Sequence, residues 1–224
     1  MNTFAFIKND KKQVILSIVF ELIIIGFLGV FLLWVSNNFI FHNPSKPAFR
    51  IIGTIVQLIV LLLFLFVKSP SVKDIGLSWE NINPKYRIYY IIGLALIPVL
   101  LISGCFFMPF FAFTMNLRFA IMSPIFEEIL FRGYIWNRLK EKQFDDITIV
   151  VTTAIFFGLF HLAGYYEIDY ATSFFKDAPH LANILHQKVL ANIGYGFFLG
   201  FLRYKSKNLY LPFIVHSILN FLGH

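Results

Sequence analysis

Polar side chains that could take part in catalysis interrupt three otherwise apolar stretches of this sequence. They are two adjacent carboxylates with an arginine, then a histidine, then a histidine with an amide: Glu127, Glu128 and Arg132; His161; His216 and Asn220. A carboxylate can act as the general base that activates water, and imidazole and amide groups can hold that water or stabilise a developing oxyanion. This combination indicates hydrolysis of an amide bond.

The first stretch predicts one paired and one unpaired carboxylate. Glu128 and Arg132 share a face of a helix with about 3.6 residues per turn, whereas Glu127 points roughly 100° away. Charge at bilayer depth is unfavourable unless it is paired or faces water. We therefore expect Arg132 to neutralise Glu128 and Glu127 to aim into a cavity. The alternative is that both glutamates join a structural ion network between helices.

The other two stretches also have helical spacing. His161 follows Phe157 by four residues, and His216 and Asn220 project from one face of their helix. A lone histidine in a membrane helix more often makes a structural hydrogen bond to another helix. Two histidines together with a carboxylate pair and an amide favour a site.

The composition is that of an all-α, polytopic membrane helix bundle. The 224 residues are 58% hydrophobic and 14% charged, and the mean hydropathy is +0.73. The single cysteine, Cys105, excludes an intrachain disulfide. The net charge of +7 reflects basic residues between apolar runs, so we predict no nucleic-acid partner. The first apolar run is too long for a secretory signal peptide and lacks a cleavage site.

Seven apolar runs predict about seven transmembrane helices. They cover residues 14–35, 51–67, 88–107, about 119–139, 147–163, about 189–202 and 209–222. An inside N-terminus places 13 basic residues in inner segments and five in outer segments, so the positive-inside rule favours that orientation. Under this topology Glu127, His161, His216 and Asn220 all fall in the outer half of the membrane.

Several connecting features carry their own expectations. Ser123 and Pro124 predict either a helix cap followed by a first-turn proline or a kink. Segment 68–87 predicts a short interfacial helix or hairpin, and segment 164–188 a loop with a short helix covering a site. Glu21, in the first span, is expected to be paired locally rather than functional.

The motifs EExxxR, FxxxH and HxxxN, in this order on apolar helices, resemble those of the CPBP or Abi family, which includes type II CAAX prenyl endopeptidases, bacteriocin-processing proteases and lysostaphin resistance protein A-like proteins. The resemblance covers about residues 119–222. It implies a CAAX protease-like catalytic core at 119–224, following N-terminal transmembrane helices and an interfacial segment at 1–118, in one integrated domain. It also implies that this chain lacks a further C-terminal helix of eukaryotic members.

The resemblance also implies residue roles. Glu127 matches the catalytic base, His161 the histidine that helps hold the attacking water, and His216 and Asn220 the pair that stabilises the oxyanion. Glu128 and Arg132 take supporting roles. We expect a mechanism without a metal cofactor; zinc held by Glu127, His161 and His216 is the alternative.

These observations lead to an intramembrane endopeptidase that cuts a membrane-associated or lipidated peptide or protein near its C-terminus. The alternative is a non-catalytic membrane protein of the same family, acting in bacteriocin self-immunity or as a scaffold that regulates a sensor kinase. A small transporter is disfavoured, since no inverted repeat is seen. We expect a multi-pass protein of the bacterial cytoplasmic membrane, with the lipid bilayer and a membrane-bound substrate as partners.

Overall fold

The computed structural model describes residues 3–40, 46–78, 83–163 and 185–223. These ranges are helical and contain no strand, which confirms the prediction of an all-α fold. The α-helices are α1 (Thr3–Val35), α2 (Lys46–Lys68), α3 (Arg87–Phe107), α4 (Phe110–Glu127), α5 (Trp136–Glu141), α6 (Asp146–Phe160), α7 (Ala191–Ser206) and α8 (Tyr210–Leu222). There are π-helical segments at Ser36–Ile40, Glu128–Ile135 and Leu185–Leu190, and 3-10 turns at Pro84–Tyr86 and His161–Ala163. Because α4, the second π-helical segment and α5 are continuous, the described chain forms seven helical rods.

Three helical stretches are long and apolar enough to cross a membrane: Asp10–Ile40, Ile51–Lys68 and Pro84–Phe107. They expose large apolar side chains, with Phe66 83% and Phe107 87% exposed, as expected for surfaces in contact with lipid. Helices α6 and α8 are apolar but have only 15 and 13 residues, so they extend about 20 Å. The protein is a helical membrane bundle, and the number of complete crossings stays a prediction.

The structure contradicts the expected start of the motif helix and one of the two alternatives for Ser123 and Pro124. Helix α4 begins at Phe110 rather than near Phe119, because Pro109 starts a new helix directly after α3 and accepts a hydrogen bond from the Phe113 amide at 2.9 Å. Ser123 is therefore not a helix cap, because it lies in the interior of α4 together with Pro124. The alternative that these residues mark a kink stays a prediction. The Ser123 hydroxyl is instead directed at Glu127.

Segment 68–87 forms neither an α-helix nor a hairpin in its described part. It turns at Gly76, whose φ of +77° favours glycine, and later forms the 3-10 turn Pro84–Tyr86. The turn docks on the far end of the chain, where the Leu209 amide donates to the Gly76 carbonyl at 3.0 Å. A side chain at Gly76 would also collide with the Arg203 guanidinium. These contacts hold the described part of the segment against the end of α7 and the α7–α8 connection.

Ion pairs link the N-terminal helices to α5 at one end of the bundle. Glu21 in α1 pairs with Lys68 at 2.7 Å and with Arg138 at 2.6 Å, which confirms that this glutamate is paired locally. Lys142 pairs with Asp10 at 3.0 Å. The basic segments that the positive-inside rule places on one side thus contact the same end of α1.

Small residues let α6 and α7 approach closely, as is common between membrane helices. A Cβ atom on Gly158 would lie 2.7 Å from the Val189 carbonyl oxygen, and one on Gly196 would lie 3.1 Å from the Ala154 Cα. Aromatic rings then join α6 to the π-helical segment, with the Phe131 ring centroid 5.3 Å from that of Phe157 and 5.5 Å from that of Phe160. This packing places α6 and α7 beside the acidic residues.

Candidate active site

Glu127 is the last residue of α4 and is only 4% exposed. Its Oε1 atom accepts a hydrogen bond from the Ser123 hydroxyl at 2.7 Å. Its Oε2 atom lies 3.7 Å from Nε2 of His216 in α8. One oxygen of this carboxylate is therefore held by its own helix, while the other faces an imidazole from a different helix.

Glu128 is fully buried and joins an arginine to a histidine. Its Oε1 atom is 2.9 Å from Nη1 of Arg132 and 2.8 Å from Nδ1 of His216. The predicted pairing of Glu128 with Arg132 is confirmed. Because a carboxylate only accepts hydrogen bonds, Nδ1 of His216 carries the proton in this contact. The hydrogen bond from Nδ1 to Glu128 thus fixes the orientation of the His216 ring. Functional histidines are commonly oriented in this way by a carboxylate at their other ring nitrogen.

Arg132 is held by contacts from two further helices. Its Nη2 atom donates to the Gly196 carbonyl at 3.0 Å, and its guanidinium carbon lies 4.3 Å from the Phe157 ring centroid. Its own carbonyl accepts a hydrogen bond from Nε of Arg203 at 3.0 Å. A fully buried guanidinium with an ion pair, a carbonyl and an aromatic face around it is a fixed positive charge rather than a mobile one.

The segment that carries Glu128 and Arg132 is π-helical rather than α-helical. Such segments are rare and are frequent at functional sites. Gly133 lies within it, and a Cβ there would be 3.0 Å from the Ile75 carbonyl oxygen, so the docked turn of segment 68–87 packs directly against this backbone. The N-terminal half of the chain therefore supports the geometry of the acidic pair.

His161 and Asn220 lie at the edge of this group. Nδ1 of His161 donates to the Phe157 carbonyl at 2.8 Å, which leaves Nε2 as the acceptor of the neutral ring. The Phe157 ring contacts both histidines, with centroid distances of 4.7 Å to His161 and 6.2 Å to His216. Asn220 is half-buried, one turn beyond His216 on α8. Within the described ranges, no hydrogen bond or ion pair joins either residue to the carboxylates. The structure thus unites Glu127, Glu128, Arg132 and His216, and leaves His161 and Asn220 beside them.

Sequence reasoning missed three contributors to the site. Ser123 precedes Glu127 by four residues, so its helical spacing was a usable signal. Gly196 acts through its carbonyl, which no sequence pattern reveals. Tyr195, whose ring centroid lies 5.1 Å from that of His216, looks like one more aromatic residue in an apolar helix.

The described side chains do not form a metal site. No group of three or more histidine, cysteine or acidic side chains in the described ranges is arranged to hold a metal ion. The metal-free mechanism and the zinc alternative at Glu127, His161 and His216 both stay predictions.

One further prediction, the covering helix within 164–188, falls largely on residues 164–184, which lie outside the described ranges.

Comparison with known proteins gave one informative match. A family model described as Type II CAAX prenyl endopeptidase Rce1-like matches residues 109–222, which contain every residue of the site and about half of the chain. The curated proteins and the solved structures gave no significant match. The chain therefore belongs to the type II CAAX prenyl endopeptidase Rce1-like family.

Proposed function

We propose that this protein is an intramembrane endopeptidase that hydrolyses a membrane-associated or lipidated peptide near its C-terminus. The observation that carries the proposal is the 3.7 Å separation between Oε2 of Glu127 and Nε2 of His216, both on nearly fully buried side chains. Two polar atoms at this distance can contact the same water molecule. Membership of a protease family supports the same conclusion.

In this mechanism Glu127 is the general base. It takes a proton from a water molecule as the water oxygen bonds to the scissile carbonyl carbon, which gives a tetrahedral intermediate. The carbon–nitrogen bond then breaks, and the proton passes from Glu127 to the departing nitrogen. The Ser123 hydrogen bond holds one carboxylate oxygen, so the other is directed toward His216 and the water.

His216 stabilises the negative charge that develops on the carbonyl oxygen. In this proposal both ring nitrogens of His216 carry a proton, and each faces a carboxylate oxygen. Glu128 holds the Nδ1 proton, so the Nε2 proton is available to the oxyanion, and Asn220 adds a donor from the same face of α8. With Arg132 and this form of His216, the two carboxylates form an electrically neutral group, which suits burial in a membrane.

His161 has a supporting role at the water. Because its Nδ1 proton is donated to the Phe157 carbonyl, its Nε2 lone pair can accept a hydrogen bond from the attacking water. This contact and the base Glu127 would fix the two hydrogens of that water, and so aim its oxygen at the substrate.

The experiment is cleavage of a farnesylated CAAX peptide by the purified, detergent-solubilised protein, followed by mass spectrometry of the released fragment. Wild type is expected to cleave, and Glu127→Gln should reduce cleavage at least about 100-fold, in the range typical of a lost general base. Glu21→Gln is the matched control, since Glu21 is a glutamate of α1 that is paired with Lys68 and Arg138. A Glu127→Gln protein that cleaves like wild type would refute the assignment.

We also propose that the chain is a multi-pass protein of the bacterial cytoplasmic membrane with its N-terminus inside. Lys142 and Arg138 both pair with acidic residues of α1, Asp10 and Glu21. These contacts support the placement of the basic segments on the same side of the membrane. In a Cys105→Ser background, an impermeant thiol reagent applied to intact cells should label Pro109→Cys and spare Glu141→Cys. The reverse pattern would invert the topology.

A further inference from the structure

Three buried polar atoms around the site have no hydrogen-bond partner within the described part of the chain. They are the Tyr195 hydroxyl, Oε2 of Glu128 and Nε of Arg132. Buried polar groups are normally satisfied by protein or by ordered water, and an unsatisfied group destabilises the fold. Two of these atoms belong to side chains that are already paired through another atom. The hydroxyl is the only polar group of the Tyr195 side chain, so this side chain makes no hydrogen bond within the described ranges.

Tyr195 is held in the site by its ring and by its backbone. The ring packs edge-on against His216, with a centroid distance of 5.1 Å and an interplanar angle of 83°. It also contacts the Phe157 ring at 6.4 Å. The next residue, Gly196, accepts a hydrogen bond from Arg132 at 3.0 Å, which ties this turn of α7 to the ion pair. These contacts therefore hold the Tyr195 ring, and with it the hydroxyl, beside His216.

A tyrosine hydroxyl in this position offers a neutral hydrogen-bond donor. We propose that the Tyr195 hydroxyl is a further catalytic group, which donates a hydrogen bond to the oxygen of the scissile carbonyl as negative charge develops on it. This inference rests on the proposed peptidase function. It explains why a buried hydroxyl is kept where a phenylalanine would fill the same space, since the partner of the hydroxyl is the substrate rather than the fold.

The test measures cleavage of a farnesylated CAAX peptide and thermal unfolding in parallel, using Tyr195→Phe. Loss of one oxyanion donor is expected to lower kcat by about 100-fold or more, with KM changed much less. Because the hydroxyl has no hydrogen-bond partner among the described residues, the unfolding midpoint should stay the same or rise. Tyr134→Phe is the matched control. The Tyr134 hydroxyl lies 3.3 Å from Glu21 and accepts from Arg138 at 3.1 Å, so its loss should lower the midpoint and keep kcat.

The results separate this inference from the proposed function. If Glu127→Gln loses cleavage while Tyr195→Phe keeps a kcat within about threefold of wild type, the inference is overturned and the peptidase assignment stands. If Tyr195→Phe loses activity and its unfolding midpoint falls in parallel, the hydroxyl is structural and the inference is again overturned. If wild type fails to cleave, or Glu127→Gln cleaves normally, the peptidase assignment fails and the inference fails with it.

Discussion

Nδ1 of His216 lies 2.8 Å from Oε1 of Glu128, the same oxygen that receives Arg132 at 2.9 Å. One carboxylate oxygen thus connects a fixed cation to a histidine on another helix. The adjacent Glu127 is positioned on the other side of that histidine, 3.7 Å from Nε2. Two neighbouring glutamates therefore contact opposite edges of one ring, and their substitution should have different consequences.

Glu128→Gln is expected to destabilise the protein as well as inactivate it. The substitution leaves the fully buried Arg132 guanidinium without its ion-pair partner, a change that typically costs about 3–5 kcal/mol. Glu127→Gln should keep the free energy of unfolding within about 1 kcal/mol of wild type, since glutamine still offers an oxygen to Ser123. Thermal unfolding in detergent, run beside a cleavage assay, checks both. Equal stability of the two variants would contradict a bridging role for Glu128.

Arg132→Lys should behave as a non-conservative change. The guanidinium reaches Glu128 through Nη1 and the Gly196 carbonyl through Nη2, and it lies over Phe157. A single ammonium group cannot reproduce this fork, so we expect a lower unfolding midpoint and reduced cleavage. Lys140→Arg, at an exposed position on α5, is a control that should leave both properties unchanged. A wild-type midpoint in Arg132→Lys would show that charge alone is sufficient.

The sequence reveals residue types and spacing but not the contacts between separate helices. The pairing of Glu128 with Arg132 follows from a separation of four residues, and so it was predicted. The contact of His216 with Glu128 joins residues 88 positions apart. It depends on how α8 packs beside the π-helical segment, which no local pattern encodes. The early start of α4 was missed because Arg118 and Asn116 look like loop residues, whereas the Asn116 amide donates to the Phe221 carbonyl at 2.9 Å and is buried.

Glu21→Gln should lower stability without removing activity. Glu21 accepts from Lys68 and from Arg138, and its side chain is 17% exposed. Charged hydrogen bonds of this kind contribute about 1.5–3 kcal/mol each, and glutamine would keep only weaker ones. The expected result is a lower unfolding midpoint with kcat close to wild type. Restoring a carboxylate with Glu21→Asp should recover part of the loss. Complete inactivation by Glu21→Gln would show that this cluster does more than join helices.

Asp145 caps the start of α6, and we expect its contribution to the stability of the protein to be lost in acid. Its carboxylate accepts hydrogen bonds from the Thr148 amide at 2.9 Å and from the Thr148 hydroxyl at 2.6 Å, and these bonds lower the pKa of Asp145. A group whose pKa is lowered on folding stabilises the protein above its ordinary pKa of about 3.9, and loses that effect as the pH falls through the folded value. The difference in unfolding midpoint between wild type and Asp145→Ala should be constant from about pH 5 to 8 and should shrink below about pH 4. Asp145→Asn, which keeps a capping oxygen but does not titrate, should lack this pH dependence.

Gly158→Ala tests whether the close approach of α6 and α7 positions the site. A Cβ at residue 158 would lie 2.7 Å from the Val189 carbonyl oxygen and would also collide with Ile193, so the helices must separate. Overpacking of this kind costs about 1–3 kcal/mol. Because Phe157 adjoins Gly158 and supports Arg132 at 4.3 Å, separation should also lower cleavage.

Gly194→Ala is the matched control on α7, since no atom of the described residues lies within 4 Å of its Cβ position, and alanine is the better helix former. Cleavage should fall in the first variant and stay at the wild-type level in the second; equal activity of the two would show that the α6–α7 spacing does not set the geometry of the site.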